Sequence, residues 1–247
     1  MTEAGSSGGA TAGSDLRLDV VIPALNEEAA LPSVLAEMPG FVRRVVVADN
    51  GSSDRTAAVA QEGGAQVVRE ARRGYGSACL KALARLRRDP PDVVAFLDAD
   101  RSDDPGEMPR LVAPIEAGEA DLVIGSRTLG RCEAGALSPH QRAGNRVACL
   151  AMRWLYGVRY TDLGPFRAVR WQALERLEMR DRDFGWTVEM QAKAARLGLR
   201  VLEVPVSYRK RIGTSKISGT VRGSLAAGAK ILWVVARHAG RSTRPRT

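Results

Sequence analysis

The stretch that decides the fold is residues 93–100, Val93-Val-Ala-Phe-Leu-Asp-Ala-Asp100. Five apolar residues in a row predict a strand with both faces buried, which is typical of a parallel sheet covered by helices on both sides. Two carboxylates, Asp98 and Asp100, follow at once and flank the small residue Ala99. Because these acids stand where a buried strand ends, they mark one edge of the predicted sheet.

Working outward from this stretch, further apolar runs alternate with helical patterns. The predicted strands are Leu18–Ile22, Val42–Ala48, Gln66–Arg69, Val93–Leu97 and Leu122–Gly125. The predicted helices are Glu27–Glu37, Thr56–Glu62, Ser77–Arg88 and Glu107–Ala117. We expect Ser52 or Ser53 to cap the helix that begins at Thr56. The alternation predicts an α/β fold with a central, mostly parallel sheet flanked by helices.

Parallel sheets of this kind bind ligands at the carboxyl ends of their strands. This rule selects three segments as candidate site: Pro23–Glu28, Asp49–Asp54 and Asp98–Asp104.

The second half of the chain is more mixed. Its patterns predict helices over Gln141–Tyr156 and Thr187–Leu197, a strand over Arg200–Val206 and an apolar helix near Ser224–His238. The Gly- and Ser-rich start lacks the apolar segment of a signal peptide and predicts a disordered leader, residues 1–14. Without an internal repeat or a clear linker, we expect one compact domain over residues 15–223, followed by an apolar helix and basic tail over residues 224–247.

The formal net charge of +9 is concentrated at one end of the 247 residues. After Glu203 there are ten Lys and Arg and no acidic residue, so the first 203 residues together carry −1. The basic end indicates an anionic partner: a phosphate group, a membrane surface or a nucleic acid. Three cysteines at unrelated spacings indicate neither a disulfide framework nor a zinc site, which fits a reducing cytoplasm. No apolar run is long enough to span a bilayer.

Asp98 and Asp100 are suited to bind Mg²⁺ or Mn²⁺, since these ions prefer oxygen ligands and commonly bridge carboxylates to phosphates. The alternative is a solvated acidic loop or a helix cap, because Asp103 and Asp104 lie nearby. The other two segments, Pro23–Glu28 and Asp49–Asp54, also have both a ligand-binding and a purely structural interpretation. Asp49 could accept a hydrogen bond from a base or ribose, whereas a tight turn and a plain strand–turn–helix connection explain the same residues without a ligand.

Taken together and in this order, the segments resemble the family 2 glycosyltransferases, specifically the branch around dolichyl-phosphate mannose synthase. The first matching runs are VIPALNEE (21–28), VVVADNGSSDRT (45–56) and FLDAD (96–100). Later runs are TDLGPFRA (161–168), WTVEM (186–190), EVPV (203–206) and GTSK (213–216). The resemblance implies that residues 15–223 form a glycosyltransferase catalytic domain with a single-domain glycosyltransferase A-type fold.

The resemblance also implies roles for individual residues. On the donor side it places a nucleotide sugar against Pro23, Leu25, Glu27, Asp49, Asp98 and Ala99. Asp98 and Asp100 correspond to the motif that holds the diphosphate and a divalent metal, with Asp100 the stronger candidate for direct ligation. On the acceptor side it implies contacts from Arg127, Lys210, Arg211 and Lys216, and it places Glu189 near the acceptor.

The leading hypothesis is an inverting transferase that moves a sugar from a UDP- or GDP-sugar. A hydroxyl acceptor requires a general base, for which Glu189 is the candidate. A phosphate acceptor is already anionic and requires none, so Arg127 and Lys216 would position it. The alternative for Glu189 is a helix-surface carboxylate paired with Lys193, four residues later.

Two other function classes remain open at this point. A sugar-phosphate nucleotidylyltransferase shares the sheet type, but it requires a Gly-rich loop after the first strand, where this chain has Pro23. The high charge also suggests a nucleic-acid-binding protein. The near-neutral first 203 residues and the lack of a recognised DNA- or RNA-binding motif argue against a nucleic-acid partner.

The C-terminal helix has two possible roles. Residues 225–236 are too short to span a bilayer, but Trp233, Lys230, Arg237 and Arg241 suit a helix lying on an anionic membrane surface. The alternative is that Ile231, Leu232 and Val235 pack on the domain. The first role predicts a peripheral enzyme at the cytoplasmic face of the membrane.

Overall fold

A computed structural model of the chain describes residues 16–213, 230 and 233–237. The predicted leader and most of the basic tail lie outside these residues. The strands are β1 (Leu18–Ala24), β2 (Arg44–Asp49), β3 (Gln66–Arg69), β4 (Val93–Phe96), β5 (Leu122–Ser126), β6 (Arg167–Arg170) and β7 (Val201–Pro205). The helices are α1 (Leu31–Ala36), α2 (Thr56–Glu62), α3 (Tyr75–Leu86), α4 (Met108–Glu116), α5 (Pro139–Tyr156), α6 (Trp171–Leu177) and α7 (Trp186–Arg196).

The seven strands form one sheet in the order β3-β2-β1-β4-β6-β5-β7. All pairs are parallel except those of β6, which runs antiparallel to both β4 and β5. In the register of β1 and β2, Ala24 pairs with Asp49, so both strands end at the same edge. The prediction of a central, mostly parallel sheet flanked by helices is confirmed.

Two elements were not predicted from the sequence, β6 and α6. Strand β6 is only four residues long, Arg-Ala-Val-Arg, and its first arginine is fully buried. A short segment with a charged residue at each end carries no strand signal. The antiparallel step in the sheet was therefore unpredictable from the pattern.

Each face of the sheet is covered by its own apolar layer. On one face, Val20 and Val123 of the sheet belong to a cluster with Leu31 of α1 and Leu111 of α4. On the other face, a second cluster joins the sheet to α3, α6 and α7 and includes the fully buried Trp186. This double cover explains why the strands β1, β2, β4 and β5 consist largely of Val, Ile, Leu and Ala.

Two local predictions were wrong at the start of helices. The predicted helix Glu27–Glu37 begins only at Leu31, because Asn26 has a left-handed φ of 53° and the chain turns before it coils. The predicted cap by Ser52 or Ser53 is absent from α2. Instead, the Asp54 carboxylate accepts the backbone N–H of Thr56 at 2.9 Å.

The C-terminal residues that the structure describes pack on the domain. Val234 and Val235 are buried in a third apolar cluster with Cys149 and Met152 of α5. The Tyr156 hydroxyl donates to the backbone carbonyl of Val235 at 2.6 Å. Packing by Val235, one of the two roles considered for this helix, is therefore present. Within the described ranges, no helix combines the length and hydrophobicity that crossing a bilayer requires.

Candidate active site

A cleft of about 840 Å³ opens at the carboxyl ends of β1, β2 and β4. Eight of the residues predicted for the site line it: Pro23, Leu25, Glu27, Asp98, Ala99, Asp100, Arg127 and Arg211. Of the other four, Asp49, Glu189 and Lys210 do not line the cleft, and Lys216 lies outside the described residues.

Asp98 and Asp100 enter the cleft directly after β4. Asp98 accepts a hydrogen bond from the Tyr75 hydroxyl at 3.0 Å. Asp100 accepts the backbone N–H of Ser102 at 2.9 Å and forms an ion pair of 2.8 Å with Arg211. The chain holds Arg211 there by backbone pairing, since the N–H of Ile212 donates to the carbonyl of Asp100 at 3.0 Å.

A third carboxylate, Asp103, is buried behind this pair. Neither of its oxygens lies in ordinary hydrogen-bond geometry with a partner among the described residues. Burial, together with the charges of Asp98 and Asp100, raises the pKa of the Asp103 carboxyl well above its usual range. Burial and the charge of Asp100 likewise raise the pKa of Asp98 to about 7, against the opposing effect of the Tyr75 hydrogen bond.

This arrangement fits a divalent cation. Asp98 and Asp103 form no ion pair with the described residues, and a cation beside Asp98 and Asp100 would offset their charge. Among the described residues, no group of three or more His, Cys, Asp and Glu side chains could hold a metal ion. A site with only two carboxylates, Asp98 and Asp100, suits Mg²⁺ or Mn²⁺. These ions usually bind one or two carboxylates and complete their coordination with substrate phosphates and water.

Asp49 closes a turn at the end of β2. Its carboxylate accepts the backbone N–H of Ser52 at 3.0 Å and is almost fully buried. The next residue, Asn50, does line the cleft and donates to the carbonyls of Glu70 and Arg72 at 3.0 and 2.7 Å. The contact of Asp49 with a base or ribose stays a prediction.

Arg127 follows β5 in the chain's second half and lines the cleft. Its Nε and Nη2 both donate to the buried carboxylate of Asp162, each at 2.7 Å. Its guanidinium also stacks on the ring of Tyr208, with 5.0 Å from Cζ to the ring centroid. Two fixed partners thus hold one cationic side chain at the cleft wall, which is the preorganisation that anion binding requires.

Glu189 is not brought to the cleft. It is buried at the base of α7, where it accepts the backbone N–H of Asp181 at 2.7 Å and pairs with Lys193 at 2.7 Å. The pairing with Lys193 that the sequence offered as the alternative is therefore present, although the carboxylate is buried, not on the surface. A base in this position would have to leave both partners to reach an acceptor.

Lys210 and Arg211 are neighbours in sequence but face different ways. The backbone N–H of Lys210 donates to Glu133 at 2.8 Å, whereas Arg211 reaches the cleft. Of the basic run predicted to contact phosphate, the structure therefore brings only Arg211 into the cleft within the described residues.

Residues 19–178 match the sequence family described as Glycosyl transferase family 2. The chain belongs to this family. Two relatives and one solved structure show where this glycosyltransferase stands within it. An uncharacterized glycosyltransferase of Mycobacterium tuberculosis is 45% identical over 213 residues, which cover 84% of this chain and 93% of the relative. A dolichyl-phosphate hexose transferase of Haloferax volcanii is 33% identical over 220 residues, 88% of this chain and 93% of the relative.

The solved structure is glucosyl-3-phosphoglycerate synthase of Mycobacterium tuberculosis in complex with Mn²⁺, UDP-glucose and phosphoglyceric acid. It superposes with a TM-score of 0.74 at 26% identity, covering 92% of this chain and 80% of the neighbour. The resemblance to the dolichyl-phosphate mannose synthase-like branch and the glycosyltransferase A-type fold are thus confirmed. The match also favours a glycosyltransferase over the nucleotidylyltransferase and the nucleic-acid-binding protein.

The glycosyltransferase has cleft residues that the sequence did not reveal. Tyr75 is held over Asp98 because the start of α3 packs closely on the segment around Asp181 and Arg182. A Cβ on Gly74 would lie 2.1 Å from the carbonyl oxygen of Arg182, and a Cβ on Gly76 would lie 2.0 Å from that of Asp181. The glycines of the run Gly74-Tyr-Gly76 thus serve close packing. Only the tertiary contact gives these glycines a purpose.

The first half of α5 is the other surprise. It contributes His140, Gln141, Arg142, Gly144, Asn145 and Arg146 to the cleft. The sequence predicted this helix, and the structure places His140 in its first turn, after a capping box formed by Ser138 and Gln141. Nothing in the pattern indicated that its arginines would border the site.

Proposed function

We propose that the enzyme is an inverting glycosyltransferase that passes a sugar from a nucleoside diphosphate donor to a phosphate group of its acceptor. The observation that carries this proposal is the division of charge in the cleft. Its acidic lining residues are Glu27, Asp98 and Asp100, all at the ends of β1 and β4. Its other wall, from β5 and α5, carries Arg127, Arg142 and Arg146. Arg73, before α3, also lines the cleft, and Arg211, from the segment after β7, pairs with Asp100 at 2.8 Å.

The acidic wall suits the donor. Asp98 and Asp100 would hold Mg²⁺ or Mn²⁺ with the diphosphate, while Pro23, Leu25 and Glu27 contact the nucleotide. The bound metal would neutralise the charge that develops on the leaving diphosphate. The Mn²⁺ and UDP-glucose of the structural neighbour support this division of labour. The donor is a UDP- or GDP-sugar.

The basic wall suits an anionic acceptor. An acceptor phosphate oxygen would attack the anomeric carbon from the face opposite the diphosphate. The new oxygen–carbon bond forms as the bond to the donor phosphate breaks, and that electron pair leaves with the nucleoside diphosphate. Arg127 and Arg211 position the attacking phosphate. No proton has to be removed, which agrees with the position of Glu189 away from the cleft.

Two relatives support the choice of acceptor. A dolichyl-phosphate hexose transferase, by its name, acts on a lipid-linked phosphate, and the structural neighbour holds the small phosphate ester phosphoglyceric acid. We favour the lipid-linked acceptor, which places the enzyme at the cytoplasmic face of a membrane. Residues 15–223 are the proposed catalytic domain.

A matched pair of acceptors tests the proposal. Purified full-length enzyme is given Mn²⁺, a panel of UDP- and GDP-sugars, and either a short-chain prenyl phosphate or the corresponding prenol. We expect nucleoside diphosphate release and a glycosylated product with the phosphate alone, and an anomeric configuration opposite to that of the donor by NMR. Transfer to the prenol at a comparable rate, or retained configuration, would contradict the proposal. Phosphoglyceric acid in a third arm separates a soluble from a lipid-linked acceptor.

A further inference from the structure

Helix α5 exposes an apolar face that no described part of the molecule covers. Its side chains Val147, Leu150 and Trp154 are 51, 54 and 79% exposed, and Leu155 is 49% exposed. Trp154 has the highest exposure of the large apolar side chains that the structure describes. Because they recur at i, i+3 and i+7, the first three form one stripe on the helix. The opposite face is buried through Ala148, Cys149 and Met152.

A basic stripe runs along one side of this apolar face. Arg142, Arg146 and Arg153 are spaced i, i+4 and i+11, which places them on one line of the helix. All three are exposed, and the 18 residues of α5 include no Asp or Glu. An exposed apolar face beside a row of arginines is the pattern of a helix that lies in the interface of an anionic bilayer.

The same helix borders the active-site cleft. Arg142 and Arg146 line the cleft at the N-terminal end of α5, and the exposed Trp154 lies two to three turns further along. A surface that binds this face would therefore lie next to the basic wall of the cleft, where the acceptor phosphate is proposed to bind.

We propose that α5 is the membrane-docking element of this enzyme, and that it inserts Val147, Leu150, Trp154 and Leu155 among the headgroups of an anionic lipid surface. In this orientation the basic wall of the cleft opens at the level of the lipid phosphates. The purpose of the docking rests on the proposed lipid-linked acceptor, but the docking itself follows from the exposed face and charge of α5.

A second copy of the chain is a poorer occupant. A two-fold interface places the same patch against itself, so the arginine stripes of two α5 helices would approach each other without an acidic residue on either helix to compensate. Anionic lipid headgroups supply that compensation.

The C-terminal helix is also a poorer docking element than α5. Its Val234 and Val235 are already buried against the domain. Of its described apolar side chains, Trp233 is half-exposed and stacks with Lys230 and Arg237. Trp154 and Trp233 thus offer two native probes that separate the two surfaces.

Tryptophan fluorescence locates the docking surface. The full chain is titrated with anionic vesicles, which contain roughly 30% phosphatidylglycerol in phosphatidylcholine. A second titration uses vesicles of pure phosphatidylcholine. We expect a blue shift with the anionic vesicles, quenched by brominated acyl chains. The shift should persist in Trp233→Phe and disappear in Trp154→Phe, which keeps the apolar face but removes the probe. A shift that follows Trp233 instead would assign docking to the C-terminal helix and overturn the proposal.

Co-sedimentation measures the contribution of each stripe. Leu150→Ser combined with Trp154→Ser should lower the partition coefficient by at least about tenfold, and Arg153→Gln by about fivefold. Phe41→Ser is the matched control. Phe41 is similarly exposed, 51%, but precedes β2 at the opposite edge of the sheet, so no change is expected. Equal partitioning of all variants would overturn the proposal.

Two readouts keep this proposal separate from the proposed function. Vesicle binding needs neither donor nor acceptor, so binding without any sugar transfer would contradict the function and leave the docking standing. Transfer to a short-chain prenyl phosphate without vesicle binding would do the reverse. Light scattering without lipid completes the test: a dimer that the double serine variant dissociates would assign the face to a second copy.

Discussion

Two groups of buried carboxylates are compensated in different ways: the acids that follow β4, and the acids of the chain's second half. In the first half, Asp98, Asp100 and Asp103 crowd together, and burial with mutual repulsion raises the pKa of Asp98 and Asp103. In the second half each buried acid has cationic or N–H partners: Asp162 is held by Arg127, and Glu189 by Lys193 and two backbone N–H groups.

We infer that the first group is kept to bind a ligand, whereas the second group stabilises the fold. A buried carboxylate without compensation costs free energy, and a protein keeps it where a bound cation or substrate repays that cost. A compensated carboxylate costs the fold only when its partner is lost. Four substitutions test this distinction, in order of decreasing expected effect.

The largest effect is expected at Asp100. Asp100→Ala removes a predicted metal ligand, so turnover should fall by about a thousandfold. The loss of its contacts with Arg211 and the Ser102 N–H should lower the free energy of unfolding by only about 1–2 kcal/mol. The measurement is steady-state release of nucleoside diphosphate at saturating Mn²⁺. Asp92→Ala, at the other end of β4 in a surface ion pair with Arg17, is the control and should keep full activity. Full turnover by the Asp100 variant, or by the wild type in excess chelator, would remove the metal role.

The next effect is on stability. Asp162→Asn leaves the guanidinium of Arg127 largely buried without its carboxylate, so the free energy of unfolding should fall by about 3 kcal/mol. Urea denaturation followed by circular dichroism measures it. The control is Asp121→Asn, which breaks a similar two-bond pairing with the exposed Arg200 and should cost less than about 1 kcal/mol. Equal losses at both sites would mean that burial does not distinguish them.

Glu189→Gln decides between a base and a fold-holding acid. Because the carboxylate secures Lys193 and the 180–181 backbone, the free energy of unfolding should fall by about 2 kcal/mol, and turnover should change by less than about fivefold. Glu178→Gln, which loses only the exposed pair with Arg180, is the control. A turnover loss of several orders of magnitude in a fully stable Glu189 variant would restore the base and indicate a hydroxyl acceptor.

The smallest change is expected to have the opposite sign. Asp103→Asn replaces a buried, uncompensated carboxylate with a neutral isostere. In chelator, we expect the free energy of unfolding to stay level or to rise by up to about 2 kcal/mol. Calorimetry of the metal-free protein at neutral pH checks it beside Glu189→Gln. If both substitutions destabilise the protein alike, the contrast between these two groups of carboxylates is wrong.

The sequence by itself determined the parallel sheet of this protein and the acidic wall of its candidate site. Uninterrupted apolar runs such as Val93–Leu97 are typical of strands buried on both faces, and their alternation with helical patterns predicted the parallel sheet. The carboxyl ends of parallel strands share one edge, so Pro23, Asp98 and Asp100 were expected together, and the structure places them in one cleft. Local periodicity and chain direction are enough for such inferences.

Only the tertiary structure revealed the basic wall of the cleft. Several features of the tertiary structure join residues that are distant in sequence. They are the antiparallel pairing of β6, the pairing of Arg127 with Asp162 and the hydrogen bond from Tyr75 to Asp98. Glu189 shows the limit most plainly. Its position near a family motif suggested chemistry, but whether an acid faces a cleft or a backbone loop depends on packing around it. Sequence periodicity says which face of a helix is buried; what that face meets is settled by long-range contacts alone.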